Sequence, residues 1–153
     1  MFVNLLIGLL MMVLNLGIQV LAISTLIRFF VRRNARGKGG PGIRNDIGLL
    51  SMTLAVLIAG HIFQFATWAF LFVTLGEFTA FSEAFYHSTV NFTSLGYGDI
   101  VMSVQHRLLG ALEAANGVLM FGLTAGLILT VLTNRFSRYD QLVELKNNLR
   151  PKK

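Results

Sequence analysis

Residues 93–99 read Thr93-Ser94-Leu95-Gly96-Tyr97-Gly98-Asp99, directly after an aromatic and apolar run at 83–93. That run is about three helical turns long, too short to cross a bilayer. Ser82 is placed to cap it, with Glu83 in the first turn, where a carboxylate suits the free backbone donors and the helix dipole. A half-spanning helix followed by irregular backbone is a re-entrant loop, which membranes tolerate only where it is buried in protein or lines a watery path.

Either side of this stretch lie segments that can span. The apolar runs at 2–27, 47–76 and 108–133 each supply the ~20 residues needed to cross the hydrocarbon core. The chain's 153 residues are 54% hydrophobic and only 13% charged, with a mean hydropathy of +0.66, outside the range of soluble domains. The first run lacks a positive n-region, is too long for an h-region and is followed by its arginines, so it reads as a retained helix and not a signal peptide. With no cysteine, disulfides and thiolate metal sites are excluded.

Basic residues fix the orientation. Arg28, Arg32, Arg33, Arg36, Lys38 and Arg44 crowd the connection between the first two helices, and Arg135, Arg138, Lys146, Arg150, Lys152 and Lys153 follow the third. Twelve of thirteen cations therefore share one side, Arg107 being the exception. By the positive-inside rule that side is cytoplasmic, in a plasma or inner membrane, with the N-terminus outside and the C-terminus inside. The net charge of +6 is thus a topology signal and a contact for anionic lipid headgroups; no fold signal supports nucleic-acid binding. The same arginines are no voltage sensor, since they lie at the end of the first helix and beyond it.

The implied organisation is a peripheral transmembrane helix at 1–33, a basic, glycine-rich linker at 34–45 holding Pro41, a pore-like unit at 46–136, and a short tail at 137–153, too small for a regulatory domain. The fold class is an all-α membrane protein with three transmembrane helices and a re-entrant helix and loop.

The stretch 47–136 resembles the potassium-channel pore family, whose filter reads TVGYG and whose carbonyl oxygens replace the ion's hydration shell. The Gly-Tyr-Gly-Asp core at 96–99 is identical. Its carbonyls can face one axis only if the backbone alternates between ordinary and left-handed conformations, which Gly96 and Gly98 permit. The resemblance implies a K+-selective channel in which Ser94, Leu95, Gly96 and Tyr97 offer main-chain oxygens to K+, with the Ser94 hydroxyl at the innermost site. It implies that Tyr97 packs against the aromatic pore helix, that Asp99 sits at the outer mouth, and that Thr93, Gly98, Tyr86 and His87 support the filter. Gly117 falls at the family's hinge glycine; close packing is the alternative reading for it, as for Gly122 and Gly126. Serine and leucine replace the usual filter threonine and valine, which bears on conductance and inactivation. One chain carries one filter strand, so the resemblance implies a homotetramer, with K+ as permeant ligand and no cofactor.

Polar residues inside the apolar runs need partners. Asn4, Asn15 and Gln19 fall on one face of the first helix, and His61, Gln64 and Trp68 form a stripe on the second. Both are expected to make interhelical hydrogen bonds, a proton-sensing His61 being the alternative. Glu113 lies at the depth of the pore helix, where an unpartnered carboxylate costs about 2–4 kcal/mol. His87, Ser88, Asn91 and the Trp68 indole are candidate donors, through which Glu113 would brace the filter; the alternative is a water-exposed glutamate. Two other readings of the chain are a weakly selective cation channel and a non-conducting accessory subunit. An enzyme has the least support, because His61, His87 and His106 form no metal set or nucleophile–base pair.

Overall fold

The computed structural model describes residues 1–35 and 42–148, and among these the regular elements are four helices. Helix α1 is Phe2–Ala35, α2 is Ile43–Thr74, α3 is Phe81–Phe92 and α4 is Arg107–Asn148. Three of them, α1, α2 and α4, are long and apolar enough to cross a membrane. The residues at 36–41, half of the basic linker, lie outside the described residues, as do 149–153.

Each long helix outruns its apolar segment. Helix α1 continues through Arg28, Arg32 and Arg33, α2 begins four residues before the expected start at 47, and α4 runs on as one rod through Tyr139 and Glu144. Hydropathy marks where the hydrocarbon ends, whereas arginine, lysine, leucine and glutamine keep a helix going in water. At 42 residues, α4 is about 63 Å long, twice the thickness of the hydrocarbon core.

The end of α2 is set locally. Gly76 adopts φ +74°, its amide bonds the Val73 carbonyl at 3.0 Å, and the Glu77 amide bonds Phe72 at 3.0 Å. This pair of reversed bonds satisfies the last carbonyls and turns the chain toward α3. Helix α3 starts two residues earlier than expected, with extended Ala80 at its N-cap and no side-chain cap bond. Ser82 therefore sits inside the first turn and does not cap it; Glu83 occupies the first turn as its charge suggests.

Helix α3 lies against α2 and α4, and α1 packs into the groove between α2 and α4. The core is aromatic: Trp68, Phe72, Phe78 and Phe92 are buried with Leu109 and Met120. Phe65 meets Phe92 edge-on at 5.0 Å, which fixes the depth of α3 against α2. The Asn4 amide donates to the Gln105 carbonyl, so the start of α1 lies beside the start of α4. At the opposite end Arg33 bonds Asn45, while Asp46 accepts from Tyr139 at 2.6 Å and pairs with Arg135 at 2.8 Å. The helices thus run up, down and up, and the described basic ends collect away from α3's loop.

Candidate functional site

The loop leaving α3 is built by the helix that precedes it. Thr93 holds helical geometry at the C-cap, and its hydroxyl donates to the Thr89 carbonyl at 2.8 Å. The Ser94 amide bonds Asn91 at 2.8 Å, and the Leu95 and Gly96 amides both reach the Val90 carbonyl, at 3.0 and 3.3 Å. The chain then changes hand at every second residue: φ is +59° at Ser94, +58° at Gly96 and +72° at Gly98, while Leu95 and Tyr97 keep ordinary negative φ. A β-strand points successive carbonyls to opposite sides. Alternating hands instead turn them toward one side, as a carbonyl-lined path requires.

No atom lies within 4 Å of a Cβ built on Gly96 or Gly98. Glycine is demanded there by conformation and not by space. Ser94 adopts the same hand with a side chain, at a cost of about 1–2 kcal/mol.

The walls hold this loop from several sides. At its outer end the Tyr86 hydroxyl donates to Asp99 Oδ2 at 2.7 Å. That bond, with help from the loop's own amides, holds the Asp99 carboxyl below the ordinary carboxylate range. His87 Nδ1 lies 3.0 Å from the Ile100 carbonyl, which can only accept, so Nδ1 carries a proton. Its Nε2 then accepts from the Asn91 amide at 2.8 Å. The ring is a bolt between α3 and the segment beyond the loop.

At its inner end the loop leans on α4. A Cβ at Gly117 would fall 1.8 Å from the Phe92 carbonyl oxygen and 2.7 Å from its carbon. Gly117 is therefore where the last residue of α3 touches α4, a contact that sequence spacing does not signal. Glu113, one turn earlier, is fully buried. The Ser88 hydroxyl is bonded to Glu113 Oε1 and also lies 2.9 Å from the Phe65 carbonyl. Of the donors expected for Glu113, Ser88 and Asn91 reach it. The Trp68 indole does not, because it is packed into the aromatic core with its N–H unpaired. His87 is turned away to Ile100.

Tyr97 is 67% exposed and Leu95 55% exposed. Among the described residues Tyr97 makes no ring contact, so its ring does not stack on α3 of its own chain. The loop's outer face is open, and nothing within one chain can cover it.

Sequence reasoning missed a second tie, between the end of α2 and the start of α4. Glu77, just past α2, accepts from the Ser103 amide at 2.7 Å and hydroxyl at 2.6 Å, and pairs with His106 Nδ1 at 2.5 Å. The partners are 26 and 29 residues away, and no local pattern announces them. Burial works to raise the Glu77 carboxyl, but the bonds from Ser103 and His106 outweigh it and hold it below its ordinary 4.5. A depressed carboxylate contributes stability that is present above the unfolded value and is lost as pH falls through the folded one. Thermal stability of detergent-solubilised protein should fall on acidification below about pH 4.5, and Glu77→Gln should flatten that decline. An unchanged acid limb in the variant would place the pH dependence elsewhere.

A family model described as ion channel matches residues 51–134, more than half of the chain, taking in most of α2, all of α3, the loop and α4 as far as Asn134. No curated protein and no solved structure matches.

Proposed function

The chain belongs to the ion channel family, and on that premise we propose that it is a potassium-selective channel whose filter is the Ser94–Tyr97 backbone of four identical chains. The observation that carries this reading is the alternation of hand at Ser94, Gly96 and Gly98 within a Gly-Tyr-Gly-Asp stretch. A loop of that geometry presents a row of carbonyls, and a ring of such rows can replace the hydration shell of K+. Ion movement through it is passive and needs no catalytic group.

Oligomerisation is supported by what one chain leaves uncovered. Besides Leu95 and Tyr97, an apolar groove of about 570 Å³ opens between α1 and α4, lined by Leu9, Met12, Val13, Leu119 and Leu123 with Asn116. The Asn116 amide is fully buried there with both polar atoms unpaired. Neighbouring copies arranged around the filter axis would cover these surfaces. Tyr97 would then pack against the pore helix of the adjacent chain.

The direct test is ion flux from purified protein in liposomes of defined lipid. Potassium should pass and sodium should not, and a reversal potential that ignores a K+/Na+ gradient would leave a weakly selective cation pore. Protein that forms tetramers but carries no ion would favour an accessory role.

The twelve cations on one side support an N-terminus outside and a cytoplasmic C-terminus beside anionic headgroups. A tag fused at Met1 should be reachable from outside intact cells, and one at Lys153 should not. Both tags on the same side would mean that α1 does not span.

Glu113 is the filter's brace in this reading. The Phe65 carbonyl can only accept, so once Ser88 gives its single proton to Phe65, the Glu113 bond requires a neutral acid that donates to Ser88. One hydrogen-bonded relay then joins α4, α3 and α2 directly behind the filter. Glu113→Leu should destabilise the tetramer by about 1–3 kcal/mol and speed inactivation, while Glu113→Gln, which still donates, should keep much of both. Leucine tetramers that melt and conduct like the parent would remove the brace.

A further inference from the structure

Midway along the bundle, on the side of α2 facing α1 and α4, six polar side chains form a connected set. Asn15, Gln19, His61 and Gln64 are buried, and Thr67 and Thr124 complete the set. The directions of their bonds can be deduced from one fixed point, the main-chain carbonyl of Asn15, which cannot donate. Gln64 Nε2 lies 3.4 Å from it, so the nitrogen end of Gln64 faces α1. Gln64 Nε2 also donates to Gln19 Oε1 at 2.9 Å, which orients Gln19. Gln19 Nε2 must then donate to Thr124 Oγ1, at 3.0 Å. On the other side Gln64 Oε1 faces His61 Nδ1 at 3.1 Å, so Nδ1 carries the proton. His61 Nε2 is left as an acceptor, 3.0 Å from Thr124 Oγ1, whose hydroxyl proton it takes.

The four bonds close a ring, His61 to Gln64 to Gln19 to Thr124 and back to His61, in which every group donates once in the same sense. Such a ring fixes histidine as the neutral Nδ1–H form and ties all three spanning helices together. The groups facing His61 are Gln64 from its own helix, Gln19 of the ring from α1, and the Phe92 ring from α3 at 6.2 Å. From α4 they are Thr124 and the Phe121 ring at 4.6 Å. None of these carries a formal charge.

We propose that this ring is a proton-operated coupling between α1 and the inner helix α4, with His61 as the receiving group. A proton added from water at Nε2 makes that atom a donor. Thr124 Oγ1 then accepts from both His61 and Gln19, and its own proton has to leave the ring. The acceptor within reach of a helical threonine is the carbonyl four residues back, here Met120, and bonding to it bends a helix. The bend would fall one turn beyond the Gly117–Phe92 contact, between the filter and the long distal arm of α4. Thr124 is half-buried, so the ring is not sealed within one chain.

This inference rests on the channel reading, and the experiment separates the two. Potassium flux from liposomes, measured between about pH 8 and about pH 5 on either side of the ordinary histidine range, should change by about fivefold or more in the parent. Thr124→Val removes the reversible hydroxyl and should give pH-independent flux, Thr124→Ser should restore the response, and His61→Gln should flatten it. Flux that is equal at every pH in the parent, or a Thr124→Val protein that responds like the parent, would overturn the coupling and leave the channel intact. Protein with no flux at any pH would overturn the channel reading instead. The coupling would then be decided by ¹⁵N NMR of the histidines in the intact protein. His61 should hold its neutral proton on Nδ1 and gain the second with the Thr124 hydroxyl shifting in step; a neutral Nε2–H form, or no titration in this range, would overturn it.

Discussion

Gly117→Ala should abolish selective potassium flux while leaving the protein inserted and helical. The added methyl would sit 1.8 Å from the Phe92 carbonyl oxygen, and contact between such atoms is comfortable only near 3.5 Å. Both partners are backbone, so no side chain can swing aside. The end of α3 must retreat by roughly 1.5 Å or more, carrying Thr93 and Ser94 with it. A shift of that size at a site built on fixed distances costs about a hundredfold in function. The experiment also separates packing from hinging. A hinge role predicts that Ala changes how often the channel opens but not what it conducts. The close contact predicts that selectivity itself fails. Parent-like selectivity in Gly117→Ala single-channel records would return the residue to the hinge reading.

Gly96→Ala should have an effect of similar size for a different reason. There is room for the methyl, since nothing lies within 4 Å of it, but φ is +58°. An L-residue pays about 1–2 kcal/mol for that hand, and four chains would bear the cost around one axis. Conduction or selectivity should be lost, with insertion and the tetramer retained. D-alanine at the same position prefers positive φ and should restore flux. Should L-alanine conduct with unaltered K+ over Na+ preference, the filter lies elsewhere in the chain.

What could be read from the sequence, and what could not, follows from the range of the forces involved. The alternating backbone at 94–98 was legible because its requirement is local: alternate glycines in Gly96-Tyr97-Gly98 write the backbone hand directly into residue choice. The three spanning helices were legible because hydrocarbon thickness sets a minimum run of apolar residues. Their ends were not, since Arg32, Arg33 and the residues beyond 133 continue a helix in water as well as any loop would. Ser82 looked like a cap by type, but the turn at Gly76 and the extended Ala80 set α3's start before it. The burial of Glu113 was foreseeable from its depth, yet the choice of Ser88 over Trp68 depended on which way α3 rotates against α4. Thr124, Glu77 and the Gly117–Phe92 contact act through space across gaps that no periodicity encodes.

The uninterrupted length of α4 has a mechanical consequence. With Gly117 pressed against the last carbonyl of α3, that point is a natural fulcrum. The 31 residues from there to Asn148 form an arm of about 47 Å. A tilt of about 10° at the fulcrum sweeps the tip through about 8 Å, while atoms beside the 94–98 loop move by a small fraction of that. The ratio runs the other way for force: a weak push at the tip, from a partner, a lipid headgroup or tension in the membrane, arrives at the fulcrum multiplied. Asp46, by gripping Arg135 and Tyr139 part-way along the arm, sets how much of that leverage is free to act.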